Sequence, residues 1–189
     1  MRLSKYPAIY IQIPKTGAGS ISSIVEQSGG HRAASWIRKS ISNEEWVSRF
    51  RFALVRHPYD RFRSTLAHFG VNAPAKEILA DPWQFNIPPI VLFPQSWYLD
   101  EKLDYIGDFH QIEKEWEFIS SVIGAKEPLP RNNQSKNKPP LTREDTLYLW
   151  FHYKDDFRQF GFSTSFVNDG VLGVDYPIYA EGRLSSSVY

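Results

Sequence analysis

The sequence predicts an α/β domain with a mainly parallel sheet flanked by helices, on three observations. Short β-branched and aromatic runs (8–13, 52–55, 104–107) alternate along the chain with stretches of helical periodicity (21–28, 58–70, 111–123). The first two strand ends pass into helix starts through a small-residue turn and a proline-marked turn. A length of 189 residues, 42% hydrophobic and 23% charged, suits one compact core rather than two or a disordered chain.

The first strand is Ala8-Ile9-Tyr10-Ile11-Gln12-Ile13, apolar enough to be buried on both faces. Pro14 ends it, Lys15 to Ser20 form a turn, and Ile21, Ile24 and Val25 recur at helical spacing until Gly29-Gly30. A further helical segment starts at His31 and runs through Trp36 and Ile37. Ser42-Asn43-Glu44-Glu45 has the form of a capping box, opening a short helix with Trp46 and Val47. The second strand, Phe52–Val55, is followed by Arg56-His57, and Pro58 stands where a first helical residue belongs, with the helix continuing to about Gly70.

Between 74 and 94 the five prolines allow a short helix near 75–79 and then irregular chain. Asp104–Gly107 reads as the third strand. Gln111–Ile123 reads as a helix with Ile112, Trp116, Ile119 and Ile123 on one stripe and Gly124 as its stop. Residues 128–140 hold four prolines with Arg131, Lys136 and Lys138, which makes a locally basic loop. Thr142-Arg143-Glu144-Asp145 opens a last helical region to about Phe160, bent near Tyr153. The expected organisation is one domain over 1–162 and a tail over 163–189.

Composition narrows the chemistry. Thirteen Phe, ten Tyr and six Trp against one Met imply a core built on aromatic rings. Zero Cys excludes a disulfide framework, a zinc knuckle and thiolate catalysis. Residues 1–95 hold 12 Lys+Arg against 6 Asp+Glu, and residues 96–189 hold 10 against 15. Anion chemistry is therefore sought as a local site in the first half, not as an even nucleic-acid surface. With no signal peptide and no apolar run of membrane-spanning length, the expectation is a soluble, cytoplasmic protein.

Both strand-to-helix junctions place anion-binding groups where helix N-termini supply N–H donors and partial positive charge. In Pro14-Lys15-Thr16-Gly17-Ala18-Gly19-Ser20 the small residues let backbone amides approach a phosphate, and Lys15 adds a full charge. This is not a Walker A loop, in which Lys stands directly before Ser or Thr at the loop's end. In Val55-Arg56-His57-Pro58-Tyr59-Asp60-Arg61-Phe62-Arg63-Ser64 the spacing predicts that Arg56 and Ser64, two helical turns on, serve one second anion. A tight turn with a surface Lys, and a structural Arg paired with Asp60, would also account for these residues taken singly.

Taken together, the two junctions resemble the nucleotide-binding motifs of sulfotransferases that use 3′-phosphoadenosine 5′-phosphosulfate (PAPS). The likeness is to the carbohydrate branch and its short soluble microbial and phage-type members. It continues in order through Gly30-His31-Arg32-Ala33-Ala34, Pro94-Gln95-Ser96, Tyr105-Ile106-Gly107-Asp108-Phe109, Leu129 to Ser135, and Phe160-Gly161-Phe162. Four positions depart from the family's pattern: Gly19 stands for Thr or Ser, His57 for Asn or Asp, Asp108 for Arg, and Arg131 for His.

The resemblance implies a P-loop-like sulfotransferase fold, PAPS as co-substrate without a metal, and an acceptor hydroxyl, tilted toward a carbohydrate. It implies that the amides of Thr16, Gly17, Ala18, Gly19 and Ser20 hold the 5′-phosphate, while Lys15 stabilises the leaving oxygen. Arg56 and Ser64 would grip the 3′-phosphate, and Ser135 and Lys136 would close over the nucleotide. His31 would be the general base, with Glu44 and Glu45 as other acid–base candidates, and Gln95 would face the acceptor. The aromatic run Phe93, Trp97 and Tyr98 reads as a sugar platform or as loop packing. Two rival classes stay open: a P-loop-like kinase or NTPase, and a non-catalytic nucleotide-binding protein derived from a sulfotransferase.

Overall fold

The computed structural model describes residues 3–27, 30–130 and 137–164. Three strands, β1 (Ala8–Ile11), β2 (Phe50–Val55) and β3 (Tyr105–Asp108), form one parallel sheet in the order β1-β2-β3. Tyr10 pairs with Phe52, and Phe52 with Tyr105, so aromatic residues line up across the strands. The Tyr10 and Phe52 rings stack at 4.9 Å. Between β1 and β2 lie α1 (Ala18–Val25), α2 (Ala34–Lys39) and α3 (Asn43–Ser48). Between β2 and β3 lie α4 (Pro58–Phe69), α5 (Ala75–Ala80) and the helical turn α6 (Gln95–Tyr98). After β3 come α7 (Ile112–Ile123), α8 (Arg143–His152) and α9 (Lys154–Phe160). The fold is a small α/β architecture with a parallel sheet and flanking helices. Among the described residues, no helix is long and apolar enough to cross a membrane.

The chain divides into two compact units, one taking the described residues up to 56 and those from 97 to 130, the other 57–96 and 137–164. Each has its own apolar cluster. In the first, Ala8, Tyr10, Phe52 and Leu54 on one sheet face meet Ile21, Ile24 and Val25 of α1 and Trp116, Ile119 and Ile123 of α7. The alternate residues Ile9, Ile11, Ala53 and Val55 are buried too, as a two-sided parallel sheet requires. The second unit is helical: Tyr59, Phe62 and Leu66 of α4 and Ile78 of α5 cluster with Leu149 of α8, Tyr153 and Phe157 of α9. The expected boundary between domain and tail at 162/163 concerns a tail that, past Thr164, lies outside the described residues.

Local signals act as read. Ser42 and Glu45 form a reciprocal capping box, Pro58 is the first residue of α4, and Gly70 and Gly124 end α4 and α7 in left-handed conformation. The last helical region does break at Tyr153, into α8 and α9.

Some contacts come from far along the chain. Asp100 accepts from the amide of Ser35 at 2.8 Å and so caps α2, whose own N-cap is Ala33. Asp145 accepts from Thr142 N–H and from Ala75 N–H at 2.9 and 2.7 Å, so one carboxylate serves the starts of α8 and α5. The outer edge of β1 is closed by a side chain. The Gln27 amide accepts from Tyr10 N–H at 2.8 Å and donates to Tyr10 carbonyl at 2.7 Å, in place of a neighbouring strand.

Candidate functional site: the β1–α1 junction

The candidate site is built where β1 and β2 end. After Ile13 and Pro14, the backbone takes a left-handed conformation at Lys15 (φ 67°) and again at Gly17 (φ 79°). Gly17 is required twice over. Its φ disfavours any Cβ, and a Cβ there would meet Ile112 Cδ1 at 2.6 Å and Phe109 Cε2 at 3.2 Å. The amides of Ser20 and Ile21 turn back to the Gly17 carbonyl at 3.0 and 3.2 Å, and among the described residues no side chain caps the start of α1. The first-turn N–H groups of an eight-residue helix thus carry their partial positive charge without a side-chain acceptor.

Thr16 is fully buried, and its hydroxyl donates to the Ile13 carbonyl at 2.9 Å. Its side chain closes the loop, which leaves its amide as the part suited to a ligand. Ser20 is buried, Ala18 half-buried, and Gly19 exposed.

Two cations meet here. Arg56, directly after β2 and 5% exposed, donates from Nη1 to the Lys15 carbonyl at 2.8 Å. Its guanidinium lies 4.3 Å over the Phe109 ring. Lys15 is half-buried and forms no ion pair with a carboxylate among the described residues. Burial first, and then the Arg56 charge, hold the Lys15 ammonium below its ordinary pKa. Two like charges set together at a helix start, with burial penalising one of them, make a locus suited to a strong anion.

His31 joins the same sheet end. Its Nδ1 lies 2.7 Å from the carbonyl of Gln12, the residue after β1. A carbonyl only accepts, so Nδ1 carries the proton and, in the neutral ring, Nε2 carries the lone pair. His31 itself precedes α2 rather than starting it.

The first unit holds the turn Lys15, Thr16, Gly17, Ala18, Gly19 and Ser20, with Arg56 bonded to the Lys15 carbonyl, and His31, whose ring bonds to the Gln12 carbonyl. Ser64 and Gln95 belong to the second unit. Ser64 is buried on α4. Gln95 has no exposed surface, and Asp156 holds both its amide N–H (2.8 Å) and its side-chain Nε2 (3.4 Å). Ser135 and Lys136 lie outside the described residues.

Glu45 is engaged in its capping box. Of the proposed platform, Tyr98 is fully buried while Trp97 is 44% exposed. Among the other histidines, His57 is buried and caps α4, whereas His68 and His110 are exposed.

Sequence reasoning gave no role to Phe109, which floors Arg56, or to Gln12 and Gln27. Phe109 had a signal, its place in the run from Tyr105 to Phe109, but the two glutamines had none. No group of metal-ligating side chains occurs among the described residues. Comparison with protein-family models, curated proteins and solved structures gives no match.

Proposed function

We propose that the chain is a PAPS-dependent sulfotransferase acting on an acceptor hydroxyl, with a carbohydrate as the acceptor class. One observation carries the reading. Lys15 and Arg56 are held side by side at the ends of two parallel strands and beside an uncapped helix start, in the order and at the motif positions the resemblance assigns to phosphosulfate and phosphate. Sulfuryl transfer asks a protein for alignment and for charge stabilisation, as phosphoryl transfer does.

In the proposed step the acceptor oxygen forms a bond to sulfur as the bond from sulfur to the bridging oxygen breaks. Adenosine 3′,5′-bisphosphate leaves with the electron pair of that bond. The acceptor's proton passes to Nε2 of His31, the nitrogen left open by the Gln12 carbonyl. Lys15 meets the charge that develops on the leaving oxygen, and the amides from Thr16 to Ser20 hold its phosphate. Arg56 takes the 3′-phosphate.

A thermal-shift series tests the reading. Adenosine 3′,5′-bisphosphate without metal, at about 100 times its dissociation constant, stabilises the fold by about 2.7 kcal/mol. A response to Mg-ATP instead would favour a kinase. Nucleotide binding without transfer of radiolabelled sulfuryl to any acceptor class would favour the non-catalytic alternative.

A further inference from the structure

We infer that the outer face of α8 is a self-complementary surface that pairs two copies of this chain antiparallel to each other. Leu147-Tyr148-Leu149-Trp150-Phe151 puts five large apolar side chains in a row on a ten-residue helix. The inner side is used within the second unit: Leu149 has no exposed surface, and Tyr148 and Trp150 pack against the cluster it belongs to. Leu147 and Phe151, one turn apart, are left 53% and 64% exposed. A helix apolar on every side is one that is covered on every side. Ten residues are too few to span a membrane, so the cover is another surface.

Charge selects the cover. Arg143 and Glu144 lie one turn before Leu147, and Lys154 and Asp155 lie one turn after Phe151, just past the break at Tyr153; all four are exposed. None of the four forms an ion pair among the described residues. Positions at equal distance on either side of Leu149 carry opposite signs: Glu144 with Lys154, and Arg143 with Asp155. Laid antiparallel about a two-fold axis level with Leu149, a second copy sets its Phe151 on Leu147, its Lys154 on Glu144 and its Asp155 on Arg143. Each contact then recurs on the other side of the axis. A parallel pairing would set Glu144 on Glu144 and Lys154 on Lys154, like charge on like. Two cations against two anions also leave an anionic lipid surface nothing to attract. Exposed ion pairs add little affinity, so they fix direction and register while the two apolar side chains supply the contact.

The test is analytical ultracentrifugation of the full chain across the micromolar range. The mass rises with concentration toward twice the 21.9 kDa of one chain. Leu147→Asp and Phe151→Ser each raise the dimer dissociation constant by roughly tenfold or more. Both side chains are more than half exposed, so the far-ultraviolet circular dichroism of each variant stays that of the parent. Glu144→Lys and Lys154→Glu, taken singly, each weaken self-association. Mixed one to one, these two variants associate with each other, and a chain carrying both exchanges self-associates again, because each reversal is answered across the axis.

A chain that keeps the mass of one copy throughout, a dimer indifferent to Leu147→Asp, or charge reversals that fail to rescue each other overturns the inference. Pelleting of a monomeric chain with equimolar phosphatidylcholine and phosphatidylserine vesicles, lost in Phe151→Ser, also overturns it and gives the apolar ridge to a membrane surface. None of these residues belongs to the β1–α1 junction, so each outcome leaves the transferase reading to its own tests.

Discussion

Arg56 Nη1 donates to the main-chain carbonyl of Lys15 at 2.8 Å, so the residue after β2 holds the left-handed turn after β1. The two cations are thus coupled through backbone geometry as well as charge. A substitution at one will be felt at the other, which shapes how variants must be read.

Arg56→Ala removes a charge-assisted contact to the 3′-phosphate and frees the Lys15 turn. Binding of adenosine 3′,5′-bisphosphate weakens by roughly 1.5–3 kcal/mol, measured by calorimetry. Arg56→Lys keeps the charge and separates the two effects. If Arg56 reads the 3′-phosphate, the loss for a nucleotide lacking that phosphate is much smaller than for the bisphosphate. Equal losses for both nucleotides would show Arg56 to be purely structural.

Lys15→Met should raise the melting temperature near neutral pH while abolishing nucleotide binding. The folded state lowers the Lys15 pKa below its unfolded value of 10.5, because burial and Arg56 disfavour the charge. Below the folded pKa the penalty is fully present. Between the folded and unfolded values the unfolded chain binds more protons, so stability rises with pH, and above both the penalty is gone. The advantage of the Met variant therefore shrinks as pH climbs toward the unfolded value. A variant less stable than the parent at neutral pH would mean that Lys15 is stabilised by a partner.

Gly17→Ala costs about 1–3 kcal/mol of stability, since φ is 79° and the methyl would press on Ile112. Gly19→Ser is the contrasting change. Gly19 is exposed within the first turn of α1, at the position where the pattern it resembles has a hydroxyl. It leaves the melting temperature nearly unchanged and tightens bisphosphate binding several-fold, on the scale of one added hydrogen bond of about 1 kcal/mol. Unchanged affinity would place the family hydroxyl's role elsewhere.

His57 explains its own departure from the motif. Its Nδ1 accepts from Tyr59 N–H at 3.3 Å, as a capping Asn or Asp would, while Nε2 donates to the Ser163 carbonyl at 3.0 Å. The ring also lies 5.0, 5.6 and 5.3 Å from those of Tyr59, Phe157 and Phe162. His57→Asn keeps the cap and loses the rest, whereas His57→Ala loses both. The melting temperatures should fall in that order, with about 1 kcal/mol separating the two variants. No difference between them would dismiss the cap.

These residues show what was legible and why. Signals that act within a few residues, such as the Ser42 box, Pro58 and Gly124, were readable because the physics that makes them is local. Periodicity likewise located the buried stripe of α7. It could not say that the α4 stripe belongs to a different cluster from the sheet, because a 3.6-residue period names a buried face and not its partner. Contacts across long separations were equally silent: Asp100 on Ser35, Gln27 on Tyr10, and Glu115 over Gly107, where a Cβ would lie 2.7 Å from the carboxylate. In the site, Lys15 and Arg56 were readable from residue type and place in order. The Arg56–Lys15 bond and the Gln12 anchor of His31 were not.

That anchor sets the last expectation. His31→Gln retains a side chain able to donate to the Gln12 carbonyl but supplies no basic nitrogen. If His31 is the base, turnover falls by roughly 10²–10⁴-fold while bisphosphate affinity stays within about twofold of the parent. Lys15→Met behaves otherwise, losing affinity and turnover together, because its charge meets the phosphosulfate before and during transfer. Single-turnover kinetics with labelled PAPS, alongside calorimetry with the bisphosphate, separates the two signatures. Near-parental turnover in His31→Gln would withdraw the base assignment and turn attention to Glu44, which lies on α3 outside the capping box's reciprocal pair.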